Sequence, residues 1–148
     1  ADFLTGIGAP TAIISAVRPL VEQHLYHHSW TKGGPTAASI RRLAGRLDPA
    51  TIGQLCRVME ADSQGRPPRS SPDSDARIQI LAQAAENLHL EQRAPQPILL
   101  GRHLKEIGMN PGPQFGPVLD EAFEAQLEGD FEDLDGARRW LDARINSN

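Results

Sequence analysis

The chain has one cysteine, Cys56, among 148 residues, which excludes an internal disulfide and any cysteine-based zinc cluster and points to a reducing, cytoplasmic home. Cys56 falls within the apolar periodicity of its own segment and reads as a small core residue rather than a nucleophile. No apolar run is long enough for a membrane span, and no charged-then-apolar start marks a signal peptide, so no membrane partner is expected. Phosphate loops of the Walker type, Gly-x-Ser-x-Gly elbows, HExxH patterns and zinc ligand sets are all missing. Gly33-Gly34 is the one double glycine, and no Asp-x-Asp follows it. Period-two alternation and internal repeats are missing too, which leaves helices to explain nearly everything. The expected fold is all-α, an irregular bundle of about seven helices with no sheet.

A broadly basic surface is also lacking, since the formal net charge is −4. The charge is unevenly spread. From Gln114 onward nine acidic residues face three arginines, whereas Ala1 to Pro113 holds twelve basic and ten acidic residues. An RNA partner would therefore touch local patches in the body rather than the acidic last helices.

Taken in order, the chain starts without an initiator methionine, and residues 2–25 read as the interior of a longer polypeptide. Pro10 opens a helix carrying Ile13, Ile14 and Val17, and Pro19 kinks or restarts it before Leu20, Val21 and Leu25. His24, His27 and His28 cluster at its end. His24 and His28 have the four-residue spacing that lets two imidazoles share a metal on one helical face, but they also fit helix-end surface histidines. Trp30 anchors a loop from Ser29 to Pro35. Thr36 then caps a helix with Ile40, Leu43, Ala44 and Leu47 inward and Arg41, Arg42 and Arg46 outward. Those three arginines form the best basic patch for RNA phosphates and fit an ordinary solvated face equally well. Pro49 and Thr51 start the next helix, striped by Ile52, Leu55, Cys56 and Met59. The proline- and serine-rich stretch from Gly65 to Asp75 marks a boundary. Ser74 is placed to cap a helix from about Asp75 to Leu90, and Asp133 to cap a last helix with Ala137, Trp140, Leu141 and Ile145 on its buried side.

The most informative wording lies between Pro97 and Leu127. Gly101 to Ile107 makes a short helix, Pro111-Gly112-Pro113 a rigid turn, and Phe115, Val118, Leu119, Ala122, Phe123 and Leu127 the apolar face of a longer helix. Pro113 is expected in the first turn of that helix, and Gly129 as its stop. Such a turn leaves N–H groups pointing outward, where they can hold a phosphate, with Arg102 and Lys105 as the nearby cations. The same Pro-Gly-Pro is also enough simply to stop one helix and start another.

Pro97, Ile98, Gly101, Leu104, Gly108, Pro111, Gly112, Pro113, Gly116, Leu119, Gln126, Leu127 and Gly129 follow the pattern P-I-L-x-G-x-x-L-x-x-x-G-x-x-P-G-P-x-x-G-x-x-L, then Q-L-x-G. This resembles the C-terminal segment of the bacterial tRNA nucleotidyltransferase and poly(A) polymerase family, the CCA-adding enzymes. One departure stands out: that family commonly has an acidic residue where His103 stands. Upstream, Val17, Leu20, Val21, His24, Arg41, Arg42, Leu43, Ala44, Ala61, Asp62, Gly65 and Arg66 resemble the back half of the HD-type helical domain that follows the catalytic head in many of these enzymes. In HD phosphohydrolases an earlier histidine, a His-Asp pair and a late aspartate hold the metal. His24 and Asp62 are the candidates here, but no His-Asp dipeptide occurs, so the set is incomplete.

The resemblance implies three segments: 1–64 as the back half of an HD-like subdomain, 65–96 as linker and connecting helix, and 97–148 as an RNA-binding-type tail. It implies an RNA partner, chiefly tRNA, held by Arg41, Arg42, Arg46, Arg66, Arg102, Lys105 and Gly112, and a partnership with an N-terminal catalytic domain. That head would bring magnesium and CTP or ATP, with no cofactor expected in this segment itself and no nucleotide transfer by it alone. Two alternatives stay open. One is part of an HD-type metal-dependent phosphohydrolase; the other is a non-catalytic helical domain whose acidic last helices bind a basic protein.

Overall fold

The computed structural model describes residues 2–30, 33–65 and 72–146. Eight α-helices and one 3₁₀ turn form among them, and none of these residues lies in a strand. The chain divides into two compact units, Ala1–Pro95 and Gln96–Asn148.

The first unit contains α1 (Asp2–Gly6), α2 (Thr11–Gln23), the turn η1 (Tyr26–His28), α3 (Ala37–Leu47), α4 (Ile52–Gln64) and α5 (Pro72–Asn87). α3 starts at Thr36, whose hydroxyl accepts the Ser39 N–H at 3.2 Å. α4 starts with a reciprocal cap in which Thr51 Oγ1 accepts the Gln54 N–H and Gln54 Oε1 accepts the Thr51 N–H. Helical spacing then delivers one buried stripe per helix: Ile40, Leu43, Ala44 and Leu47 from α3, Ile52, Leu55, Cys56 and Met59 from α4, and Ile78, Leu81 and Ala85 from α5. α4 packs chiefly on α5, so the helix read as a connector is an integral wall of this core.

Three local expectations change. α2 runs unbroken through Pro19, which is buried, rather than restarting there. α5 begins at Pro72 instead of Asp75, because proline is preorganised for the first helical position. It ends at Asn87, where His89 takes a left-handed conformation (φ 54°) and the Leu90 N–H turns back to the Ala85 carbonyl at 2.9 Å. Ile13, Val21 and Leu25 of the first segment are exposed, together with Phe3 and Ile7.

The second unit holds α6 (Gly101–Glu106), α7 (Phe115–Glu128) and α8 (Leu134–Asn146) around Leu99, Leu104, Ala122, Ala125, Phe131, Ala137 and Leu141. Gly129 ends α7 at φ 95°, with its N–H on the Ala125 and Gln126 carbonyls. Asp133 Oδ1 accepts the Gly136 N–H at 2.7 Å and starts α8 as expected. Ile145 is exposed rather than buried. No helix among the described residues is long and apolar enough to cross a membrane.

Candidate functional site

The chain entering α6 is tied to α7 by one side chain. Gln126 Oε1 accepts the Ile98 N–H at 2.9 Å, and its Nε2 donates to the Gln96 carbonyl at 2.9 Å. A primary amide supplies an acceptor and a donor at a fixed spacing, so it pairs with extended backbone as a strand neighbour would. The clamp fixes the chain entering α6 against the last turn of α7. Gly108, at φ 87°, lets the chain leave α6, and the Gly101 backbone lies against the Phe115 ring. Arg102 and Lys105 stand exposed on α6.

His103 is buried beside them, with 5% of its surface exposed. Its Nδ1 accepts the Leu100 N–H at 3.0 Å, and the His103 N–H returns to the Leu100 carbonyl at 2.8 Å. The residue that departs from the family pattern therefore caps the short helix, a task a carboxylate also performs. Arg102 directs its Nε–H at His103 Nε2 from 3.1 Å.

The Pro-Gly-Pro turn differs from its expected form. α7 begins at Phe115, so Pro113 lies ahead of the helix rather than in its first turn. The Phe115 N–H is spent on the Gly112 carbonyl at 3.0 Å, and Pro117 has none to give. Of the first three helical residues only Gly116 can offer an outward N–H, which weakens the helix terminus as a phosphate cradle. Gln114 folds back over Gly112 and donates to the Asn110 carbonyl at 2.9 Å.

In the first unit Arg41 and Arg42 are half-buried on α3, and Arg46 is exposed with its guanidinium 6.0 Å from the centre of the Tyr26 ring. Arg66 lies outside the described residues. The structure thus assigns the candidate cations to two places, three on α3 and two on α6.

The His24–His28 pairing does not survive. α2 stops at Gln23 and His28 sits in η1, so the two rings do not share one helical face. His24 Nδ1 bonds the Val21 carbonyl, and Asp62 is half-buried on α4. Among the described residues no group of three or more His, Cys, Asp or Glu side chains is arranged to hold a metal ion. His27 is buried against His28, ring centres 3.9 Å apart. Burial first, and then the His28 charge, with smaller contributions from Arg77 and His24, hold its pKa below the ordinary imidazole value. Cys56 is pushed up to about 11 by burial and the nearby Glu60, which keeps it a thiol.

Two organising residues carry little signal in the sequence. Arg77 of α5 donates to the Trp30 carbonyl at 2.8 Å and the His27 carbonyl at 3.4 Å, and pairs with Asp73 at 3.0 Å. It staples the loop after η1 to the core, yet its spacing on α5 is that of any surface arginine. Gln126 is one letter of a longer pattern whose reach back to Gln96 spans thirty residues.

Compared with family models, curated proteins and solved structures, the chain matches none of them.

Proposed function

We propose that this chain is the RNA-holding C-terminal portion of a tRNA nucleotidyltransferase-like enzyme that adds CCA or A residues to RNA 3′ ends. A catalytic head outside this sequence would supply magnesium and CTP or ATP. The observation that carries the reading is the Gln126 clamp, which joins the two ends of the Pro97–Gly129 wording into one hydrogen-bonded unit and leaves Arg102 and Lys105 facing solvent. Turns, a cap and a clamp around two exposed cations suit a scaffold that presents phosphate contacts. The acidic α7 and α8 would stay off the RNA.

The test is binding to a tRNA lacking its 3′ CCA, against single-stranded oligo(A) and duplex DNA, across a salt series. The reading expects preference for the tRNA, with affinity falling steeply as salt rises because each neutralised phosphate releases counterions. Replacing Arg41, Arg42 and Arg102 together by alanine should flatten the slope by about two to three contacts' worth. Equal, salt-insensitive affinity for all three nucleic acids, or none, would remove the reading.

A protein-interaction role is favoured by one different observation. Phe3, Ile7, Ile13, Val21 and Leu25 of the first unit are exposed, and α1 and α2 also form an open groove of about 230 Å³ lined by Leu4, Ile14, Val17, Arg18, Val21 and Glu22. Apolar surface of this kind marks contact with another folded surface. Loss of nucleic-acid binding in the salt series would make this the leading account.

A further inference from the structure

We propose that Arg102 and His103 together form an oxyanion site that takes a phosphate group. The two nitrogens of the buried His103 ring each face an N–H donor, Leu100 N–H at 3.0 Å from Nδ1 and Arg102 Nε–H at 3.1 Å from Nε2. A neutral imidazole accepts at one nitrogen and donates from the other. Both contacts therefore cannot be hydrogen bonds at once. Leu100 decides which holds: its backbone N–H is fixed at the start of α6 and cannot turn away, whereas Arg102 is exposed and swings on its methylenes. The ring proton then sits on Nε2. His103 Nε2–H and Arg102 Nε–H then face each other across 3.1 Å with no acceptor for either, and among the described residues neither group has a further hydrogen-bond partner.

An acceptor with several oxygens completes this arrangement. A phosphate offers two oxygens to the guanidinium fork and a third to the imidazole N–H once Arg102 rotates off the ring. The net charge of the pair is positive. Glu106, the carboxylate of α6, is engaged by Arg138 at 3.0 Å and so does not compensate Arg102. The site is made by two side chains and does not use the N-terminal backbone of α6; the Leu100 N–H just before the helix is taken by His103 Nδ1. Its phosphate is either free in solution or part of an RNA backbone, and only the second source rests on the function proposed above.

Two substitutions separate a ligand role from a capping role. His103→Gln keeps an amide oxygen for Leu100 and an N–H for the anion. His103→Asp satisfies Leu100 and Arg102 within the protein and offers no donor. In the ¹⁵N-labelled full chain, inorganic phosphate should shift the Arg102 Nε–H and His103 ring-nitrogen resonances saturably. His103→Gln should retain the Arg102 shift. His103→Asp should weaken it by on the order of tenfold while melting no earlier than the unaltered protein. Absent or non-saturating shifts in the unaltered protein would overturn the proposal, as would His103→Asp binding phosphate equally well. Adding tRNA lacking its CCA identifies the source. Displacement of phosphate from these resonances supports an RNA backbone, whereas saturable phosphate binding untouched by tRNA upholds the site and counts against the RNA reading.

Discussion

The two units reach stability by different means. Residues 1–95 bury a core of stripes from three long helices, each opened by a sequence-local cap or a proline. Residues 96–148 have a smaller core with more alanine within it, and where the first unit has the Arg77 staple they have several ties between distant positions: Gln126 to Ile98 and Gln96 and, at the surface, Arg138 to Glu106 and Arg144 to Glu121. Their charges differ as well, nine acidic and ten basic residues in the first unit against ten acidic and five basic in the second. Small helical assemblies that bury little apolar surface need such specific ties to choose one arrangement. The unit with the weaker core is the one whose wording is most distinctive.

Each unit has its own tryptophan, Trp30 packed on the first core and Trp140 on the second, so single-tryptophan variants read them separately. The largest expected effect is Leu55→Ala in the first core, where the side chain has no exposed surface; urea unfolding followed at Trp30 should lose about 2–5 kcal/mol. An equal loss in the Trp140 signal would mean that the two cores unfold as one and would break the comparison. Next comes the pair of polar staples. Arg77→Ala should cost the Trp30 transition about 1.5–3 kcal/mol by removing charged hydrogen bonds to two carbonyls. Gln126→Ala should cost the Trp140 transition about 1–3 kcal/mol and expose the Ile98 amide to hydrogen exchange. If Gln126→Ala proved neutral, the second unit would be held by its apolar contacts after all. Gly129→Ala is smaller, about 1–2 kcal/mol, from forcing a Cβ into the left-handed region at φ 95°.

pH sharpens the contrast, since the resolved shifts of buried groups fall in the first unit. His27 has a lowered folded pKa, so the unfolded chain protonates first as pH falls. The Trp30 transition should be level above about pH 6.5 and weaken below it, and His27→Gln should flatten that limb. Cys56 works in the opposite sense. Its folded pKa is raised, so its contribution is complete below pH 9.0 and is lost as pH rises through about 11. Alkylation of Cys56 at neutral pH should be far slower than that of a free thiol.

Much of the first unit was legible because its information is local. Thr36 and Thr51 with Gln54 mark their own helices, and the α3 and α4 stripes follow from spacing alone. The errors there have local physical causes: His89 takes a conformation usually left to glycine, and Pro72 starts a helix at the edge of a segment that reads as loop. Exposure of Ile13, Val21 and Leu25 was not legible, because periodicity states which residues share a face and not whether anything covers it. In the second unit Gly129 and Asp133 were readable as stop and cap. The Gln126 clamp and the role of His103 were not, since both depend on which backbone groups tertiary packing brings within reach of a side chain. The division of the RNA candidates between α3 and α6 was legible from helix spacing, while the half-burial of Arg41 and Arg42 needed the fold.

The RNA reading proposed above requires that the cations of α6 and α3 contact the RNA while the acidic helices do not. Backbone amide mapping of the ¹⁵N-labelled chain with a tRNA acceptor-stem minihelix lacking its CCA tests it most directly. The account predicts shifts clustered at Arg102 and Lys105 and on the Arg41–Arg46 face, fading as salt is raised. Shifts centred on the acidic face of α7 and α8, or on the apolar groove of α1 and α2, would contradict it.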